Sequence, residues 1–365
     1  MKILFVSHTF PPIVGGVETQ NYELSKWLGE KTEIEIVANK KRWMLPFFLL
    51  VYAPLRILFS TKKYDALLLG SGILGNVSWL IKKVTKKPVV IVTHGLDLTW
   101  KNKLYQKLWV KIFIPSADKL VAVGNETIGV GVARGIAEKK FVFIPNGVDT
   151  EKHLIDSSRA EIEKIVGKQL ENKKILLTSG RLAKRKGVAW FINNVMPKLD
   201  QDFLYVIAGD GKDRQNIEQA ISNNGLENRV VTLGYVTDED RNKLWNACDL
   251  FVQPNIKVPG DMEGFGISVI EAGACRLPVL ASDMEGLKDA IKDGKNGFLV
   301  ESENAQAYVD KINELFANGS PREIFGESVR NFVIENYQWK HIAQIYLEEI
   351  EKTIQKSKIS MTNVK

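Results

Sequence analysis

The chain has 365 residues, 45% of them hydrophobic and 25% charged, a balance that accommodates two ordinary globular domains and excludes a disordered or fibrous class. A net charge of +7 and a pI near 9.1 favour anionic partners, namely nucleotides, nucleic acid or an acidic lipid surface; aromatic-plus-basic motifs of the RNA-binding kind are missing, so we expect no nucleic acid. Two cysteines, Cys248 and Cys275, with no C-x-x-C pairing, exclude a disulfide framework and a metal knuckle and read as small buried hydrophobes in a reducing cytosol.

The first apolar run, Ile3–Val6, is too short for a signal-peptide core or a spanning helix and predicts a buried strand. Further strands are predicted at Ile34–Ala38, Ala66–Leu69, Val89–Thr93, Leu120–Val123 and Phe141–Ile144. Helices are predicted around Val17–Leu28, Leu74–Val84, Leu104–Ile114 and Glu126–Arg134. Strand and helix in alternation imply a parallel sheet covered on both faces. After the polar stretch Asp156–Lys174 the rhythm restarts with Ile175–Thr178, Leu204–Ala208, Val230–Leu233, Leu250–Gln253, Val279–Ala281 and Phe298–Val300.

The fold class is therefore α/β, with two doubly wound Rossmann-like domains facing a cleft lined by the carboxyl ends of their strands. We place the first domain at residues 1–165 and the second at 166–338. Residues 339–365 read as a C-terminal helix that packs back on the first domain, a packing periodicity alone leaves open, followed by a tail from Lys356 that frays.

One segment breaks the rhythm. Lys40-Lys41-Arg42-Trp43 leads into an apolar body running to Phe59, and its uncharged part, Trp43 to Leu55, is shorter than the ~20 residues a spanning helix needs. Cations at the start and an aromatic at the edge describe an interfacial element, seconded by Lys101, Lys103, Lys107 and Lys111 on a basic amphipathic helix. A buried helix filling the first domain's core is the competing reading, and the tight basic flank favours contact with an anionic membrane surface.

Chemistry concentrates at strand ends. Glu263 and Glu271 bracket Gly264-Phe265-Gly266-Ile267, where the glycines let the backbone approach a ligand and the free amides of the following helix form an anion site. Glu271 lies five residues past Gly266, roughly 7 to 8 Å along a helix axis at ~1.5 Å per residue, a spacing that suits a ligand with hydroxyls at both ends and phosphates between. A tight loop with a solvated Glu271 is the alternative. Arg181 and Lys186, in Ser179-Gly180-Arg181-Leu182-Ala183-Lys184-Arg185-Lys186-Gly187, follow the first strand of the second domain, and a fork of guanidinium N–H groups plus a point charge suits a diphosphate. Gly209-Asp210-Gly211 follows another strand, with Asp210 as a helix cap the competing reading; Gly15-Gly16 opens the first helix, with a tight turn its alternative. His94 ends the fourth strand, where a cleft-facing role and a core or turn role both stand.

Other patterns carry no chemistry. Gly129 to Gly135 mimics a dinucleotide fingerprint, but its last glycine is one residue late and no strand directly precedes it. Asp238-Glu239-Asp240 follows Thr237 and reads as an N-cap with an acidic first turn. Neither a Gly-x-Ser-x-Gly elbow nor a His-x-x-x-His pair occurs.

Gly15-Gly16, His94, Pro145-Asn146-Gly147-Val148-Asp149, Arg181, Lys186-Gly187, Gly209-Asp210-Gly211 and the pair Glu263 and Glu271 stand in an order that resembles the retaining family 4 glycosyltransferases of the GT-B fold, over nearly the whole chain. The resemblance implies that Arg181 and Lys186 bind a donor diphosphate, Glu271 the ribose hydroxyls, and Glu263 with the Phe265, Gly266 and Ile267 backbone the transferred sugar. It implies that His94 contacts the donor sugar, that Gly15 and Gly16 lie near phosphates and acceptor with Gly209 beside the donor, and that Tyr235 and Val236 flank the base. It further implies catalysis without a metal or cofactor beyond the nucleotide-diphosphate sugar, retention of anomeric configuration, and a glycan or lipid-linked acceptor, in the cytoplasm or peripherally on the inner membrane face. Arg276 departs from the pattern, standing where the family has glycine at a left-handed helix end, at a cost of about 1 kcal/mol. A donor-binding scaffold without turnover, and a doubly wound oxidoreductase, are the competing functional classes.

Overall fold

The structure is a computed structural model that describes residues 1–60 and 63–362. The chain divides into two compact units, Met1–Gly147 with the chain from Trp339 onward, and Val148–Gln338. Each is built on a six-stranded, wholly parallel sheet.

In the first unit the strands are β1 (Lys2–Ser7), β2 (Glu33–Ala38), β3 (Ala66–Leu69), β4 (Val89–Thr93), β5 (Lys119–Ala122) and β6 (Phe141–Phe143), ordered β2-β1-β3-β4-β5-β6. In the second they are β7 (Lys174–Ser179), β8 (Phe203–Ala208), β9 (Val230–Gly234), β10 (Leu250–Gln253), β11 (Val279–Ser282) and β12 (Phe298–Val300), ordered β12-β11-β10-β7-β8-β9. Aliphatic runs such as Ala66–Leu69, Val89–Thr93 and Leu250–Gln253 are buried at every position, as a strand with helices on both faces requires. The chain reverses its direction of travel across the sheet between β1 and β3 in one unit and between β7 and β10 in the other. Open α/β sheets bind ligands outside the carboxyl ends of the strands at such points.

The structure departs from the sequence reading in three places. Residues 148–165 group with the second unit rather than the first. The polar stretch contains a helix, Arg159–Val166, closed by a Ser158/Glu161 capping box and a left-handed Gly167, and Arg159 chelates Asp249 with both contacts at 2.9 Å. This helix buries only Ile162 and Val166, too thin a stripe to register as periodicity. At the other end, the tail does not fray at Lys356: the helix Trp339–Thr362 continues, because Thr353 and Ser357, one turn apart, stay buried. This helix packs in the first unit against the helix Gly16–Gly29, and residues 363–365 lie outside the described residues.

The third departure is the segment after Lys41, which forms a helix over Arg42–Ser60 with mean hydropathy 1.6, including a π-turn at Phe48–Tyr52. By length and composition this helix could cross a membrane, which the shorter uncharged run did not suggest. It is apolar on two sides. Phe48, Ala53 and Ile57 join the first unit's core, whereas Trp43, Phe47, Leu50, Leu55 and Phe59 are exposed.

Arg276 takes the left-handed conformation (φ 60°) expected at its helix end, with its guanidinium paired to Glu327. Both cysteines are buried and free; burial pushes their thiols up, Cys275 to about 12.

Candidate active site

In the second unit, the loops leaving β7 and β10 flank the point where the sheet reverses. They are laced together: Ile256 N–H donates to Arg185 O at 2.9 Å, and a Cβ on Gly187 would lie 1.8 Å from Pro254 O. Gly187 has φ +66°, so only glycine fits this crossing, and the crossing fixes Lys186.

Four charged side chains meet here, Lys186, Arg185, Glu263 and Asp261, whose Oδ2 lies 3.7 Å from Arg185 Nη1. Lys186 Nζ is 2.6 Å from Glu263 Oε2, Arg185 Nη2 is 3.6 Å from the same oxygen, and the Asn255 amide donates to it at 3.3 Å. Glu263 is buried at 8% exposure. Burial alone would raise its pKa, but Lys186, then Arg185 and the hydrogen bonds from Lys186 and Asn255, outweigh that and hold it at about 2. Burial, and crowding by Arg185 and Arg181, push Lys186 down, opposed by Glu263. The cluster is an ionised carboxylate wrapped by two cations, with Asp261 balancing the second of them. Arg181, exposed, tips the balance to a surplus of positive charge, and no hydrogen bond or ion pair engages its guanidinium among the described residues.

Gly266 is the left-handed N-cap (φ 86°) of the helix Ile267–Ala274, and its amide-rich start sits at this same edge. Phe265 is buried against Tyr337, so its backbone rather than its ring is available to a ligand. Glu271 lies further along that helix, its side chain 17% exposed, with His153 Nε2 3.9 Å away. Gly209 lies just past β8; the pairs Gly180 N–H to Ala208 O and Leu182 N–H to Asp210 O hold its loop beside the Arg181 loop. The N-cap of the following helix is Asp213, not Asp210. Tyr235 and Val236 follow Gly234 at the end of β9, with Tyr235 75% exposed. Thr237 caps the next helix by accepting from Asp240 N–H, as the sequence predicted.

In the first unit, Gly15 is the N-cap of the helix Gly16–Gly29, and Thr9 donates to Glu18 in its first turn. His94 follows β4. Its Nε2 lies 3.0 Å from Gly70 O at the end of β3, and a carbonyl only accepts, so Nε2 carries a hydrogen. The His94 and Gly72 backbone N–H groups both donate to Asp97, whose carboxyl burial pushes up. His8, just past β1, is held neutral, down to about 3, by burial and by His94. Arg185, Asn255, His153, His8 and Asp97 were not singled out in the sequence. Arg185 lay inside a motif already marked, and His8 could have been found as a polar residue directly after a buried strand.

Two family models match the chain, glycosyl transferases group 1 over residues 159–332 and glycosyltransferase family 4 over residues 14–152. The chain is 24% identical to a GDP-mannose-dependent alpha-(1-6)-phosphatidylinositol monomannoside mannosyltransferase of Mycolicibacterium smegmatis, over 93% of this chain and 95% of that one. It is 25% identical to a UDP-Gal:alpha-D-GlcNAc-diphosphoundecaprenol alpha-1,3-galactosyltransferase of Escherichia coli, over 77% of this chain and 73% of that one. The fold superposes on the crystal structure of Anabaena HepE in complex with UDP-glucose with a TM-score of 0.76 at 20% identity, covering 96% of this chain and 100% of that one.

Proposed function

We propose, from the premise that this chain belongs to glycosyltransferase family 4 and has the GT-B fold, that it moves a sugar from a nucleotide-diphosphate donor to a lipid-linked or surface-glycan acceptor. The observation that carries this reading is the cationic surplus of Arg181, Arg185 and Lys186 around Glu263, beside the amide-rich start of the helix Ile267–Ala274. Such a site suits a departing diphosphate. As the bond from the anomeric carbon to the phosphate oxygen breaks, its electron pair passes to the diphosphate, and fixed cations stabilise that charge without reorganising. This is why we read the reaction as independent of a divalent cation.

The acceptor hydroxyl then attacks the same face of the sugar within the ion pair and passes its proton to the departing phosphate oxygen, so anomeric configuration is retained. Glu263, held ionised, orients the sugar with the backbone of Phe265 to Ile267 and is not a glycosidase-type acid. Glu271 takes the ribose hydroxyls, Tyr235 and Val236 flank the base, and Gly209 lies beside the donor. Gly15, Gly16 and His94 are read as contacts of sugar and acceptor.

The two-sided apolar helix Arg42–Ser60 supports a peripheral site on the cytoplasmic membrane face. Ala53 and Ile57 are packed into the protein, and Arg56 pairs with Glu35 at 2.6 Å, so the helix offers lipid one stripe rather than its full circumference. The relatives' printed acceptors, a phosphatidylinositol monomannoside and a diphosphoundecaprenol-linked sugar, accord with a lipid-linked acceptor.

The test is nucleotide release from UDP-, GDP- and ADP-sugars with a lipid-linked acceptor, with and without EDTA, for wild type and Glu263→Ala. We expect acceptor-dependent release that survives EDTA and is lost in the variant. Tight nucleotide binding without release from any donor would favour the silent scaffold, and bound nicotinamide or flavin absorbance the oxidoreductase.

A further inference from the structure

Glu271 needs an orientation as well as a position if it is to grip two hydroxyls, and the structure holds a residue built to supply one. His153 comes from the segment ahead of the helix Arg159–Val166, 118 residues before Glu271 in sequence, and is buried at 6% exposure. Its backbone is fixed from two elements: His153 O accepts from Asn246 Nδ2 at 2.8 Å and from Cys275 Sγ at 3.2 Å. Its ring is fixed by the same helix that carries Asn246, Asp238–Ala247: it lies edge-on to Trp245 at 5.4 Å between centroids, with Nδ1 3.1 Å from Asn242 Oδ1. The amide oxygen only accepts, so Nδ1 donates, and the other ring nitrogen, 3.9 Å from the Glu271 carboxylate, attracts it when the ring carries both hydrogens.

We infer that His153 is a positioning residue that orients the Glu271 carboxylate toward the ribose diol of the nucleotide. The inference rests on the reading of Glu271 as the ribose ligand and adds the group that aims it. A glutamate side chain has two torsions beyond its Cβ; a locked ring nitrogen behind one oxygen narrows those torsions before the ligand arrives. The 3.9 Å gap exceeds a hydrogen bond and leaves room for it to tighten when the diol binds the other oxygen. Trp245 carries the arrangement onward: its Nε1–H donates to Ser179 Oγ at 3.0 Å, at the end of β7 just before Arg181, so the ring's support is continuous with the diphosphate loop. A buried structural histidine also needs a partner for a ring N–H, which Asn242 supplies; the carboxylate opposite the other nitrogen is what points beyond packing.

The readout is discrimination between ribose and deoxyribose, which a purely structural role would not move. With whichever of UDP, GDP and ADP raises the melting temperature most, the wild type should bind the ribonucleotide about tenfold tighter than its 2′-deoxy form, the size of a hydrogen bond to a charged group. His153→Phe should weaken ribonucleotide binding several-fold, leave the deoxy form nearly unchanged, and add no further loss in a Glu271→Ala background. Asn242→Ala, which frees the ring without opening the core, should lower the same ratio and keeps the test decisive where the Phe variant does not fold. A wild-type ratio in Asn242→Ala and His153→Phe alongside its loss in Glu271→Ala would overturn the role of His153 while leaving Glu271 in place. A wild-type ratio in Glu271→Ala, or binding of none of the three nucleotides, would remove the underlying reading and this inference with it.

Discussion

Lys186 and Glu263 stabilise one another at 2.6 Å in a buried setting, so each is destabilising without the other. Glu263→Gln leaves Lys186 buried beside Arg185 with no counter-charge, and breaking such a pair costs about 3–5 kcal/mol. We therefore expect Glu263→Gln to lower thermal stability and to show a larger melting-temperature rise with a nucleoside diphosphate than the wild type, because the ligand replaces the lost anion. The pH dependence has a defined sign. The folded pKa of Glu263, about 2, lies below the ordinary carboxyl value, so its stabilisation is complete above ~4.3 and is lost as pH falls toward 2. Chemical denaturation from pH 7 down to 2 should show wild-type stability converging on that of Glu263→Gln; parallel curves would contradict the ion pair.

At the scale of elements, what the sequence made legible follows from local signals. Continuous aliphatic runs announced the strands, and Thr237 followed by acidic residues announced a helix start, because burial and capping are read from neighbours in the chain. The helix Arg159–Val166 escaped because its stabilisation is polar: a capping box and a chelated Arg159, with two buried apolar positions. The partners were not legible for two reasons: Asn255 meets Glu263 through the irregular loop between β10 and the helix Ile267–Ala274, and His153 meets Glu271 across a long stretch of chain. The helix Arg42–Ser60 was half legible. Its composition marked it as interfacial, while its division into a packed stripe and an exposed one needed the fold. Trp43, Leu50 and Phe59 are 77%, 66% and 83% exposed, so replacing all three by serine removes about 25 cal/mol for each Å² of apolar surface they would bury in lipid and little core packing. Co-sedimentation with anionic vesicles should fall at least tenfold with an unchanged melting temperature; unchanged recovery with vesicles would refute membrane contact through this helix.

For the molecule as a whole, each unit places polar groups where its own sheet reverses: His8 and the Gly70 carbonyl after β1 and β3 in one, Lys186 and Asn255 after β7 and β10 in the other. The sequence conveyed this architecture through its repeated alternation, and missed the assignment of residues 148–165 because that segment's contacts with Asp249 and Asn242 are made far along the chain. The central claim is that fixed cations of the second unit, rather than a bound metal, receive the diphosphate. A crystal structure with UDP or GDP tests it most directly. The account predicts diphosphate oxygens within hydrogen-bonding distance of the Arg181 guanidinium and of Lys186 Nζ; a diphosphate bound elsewhere, with Arg181 turned to solvent and Lys186 still closed on Glu263, would contradict it.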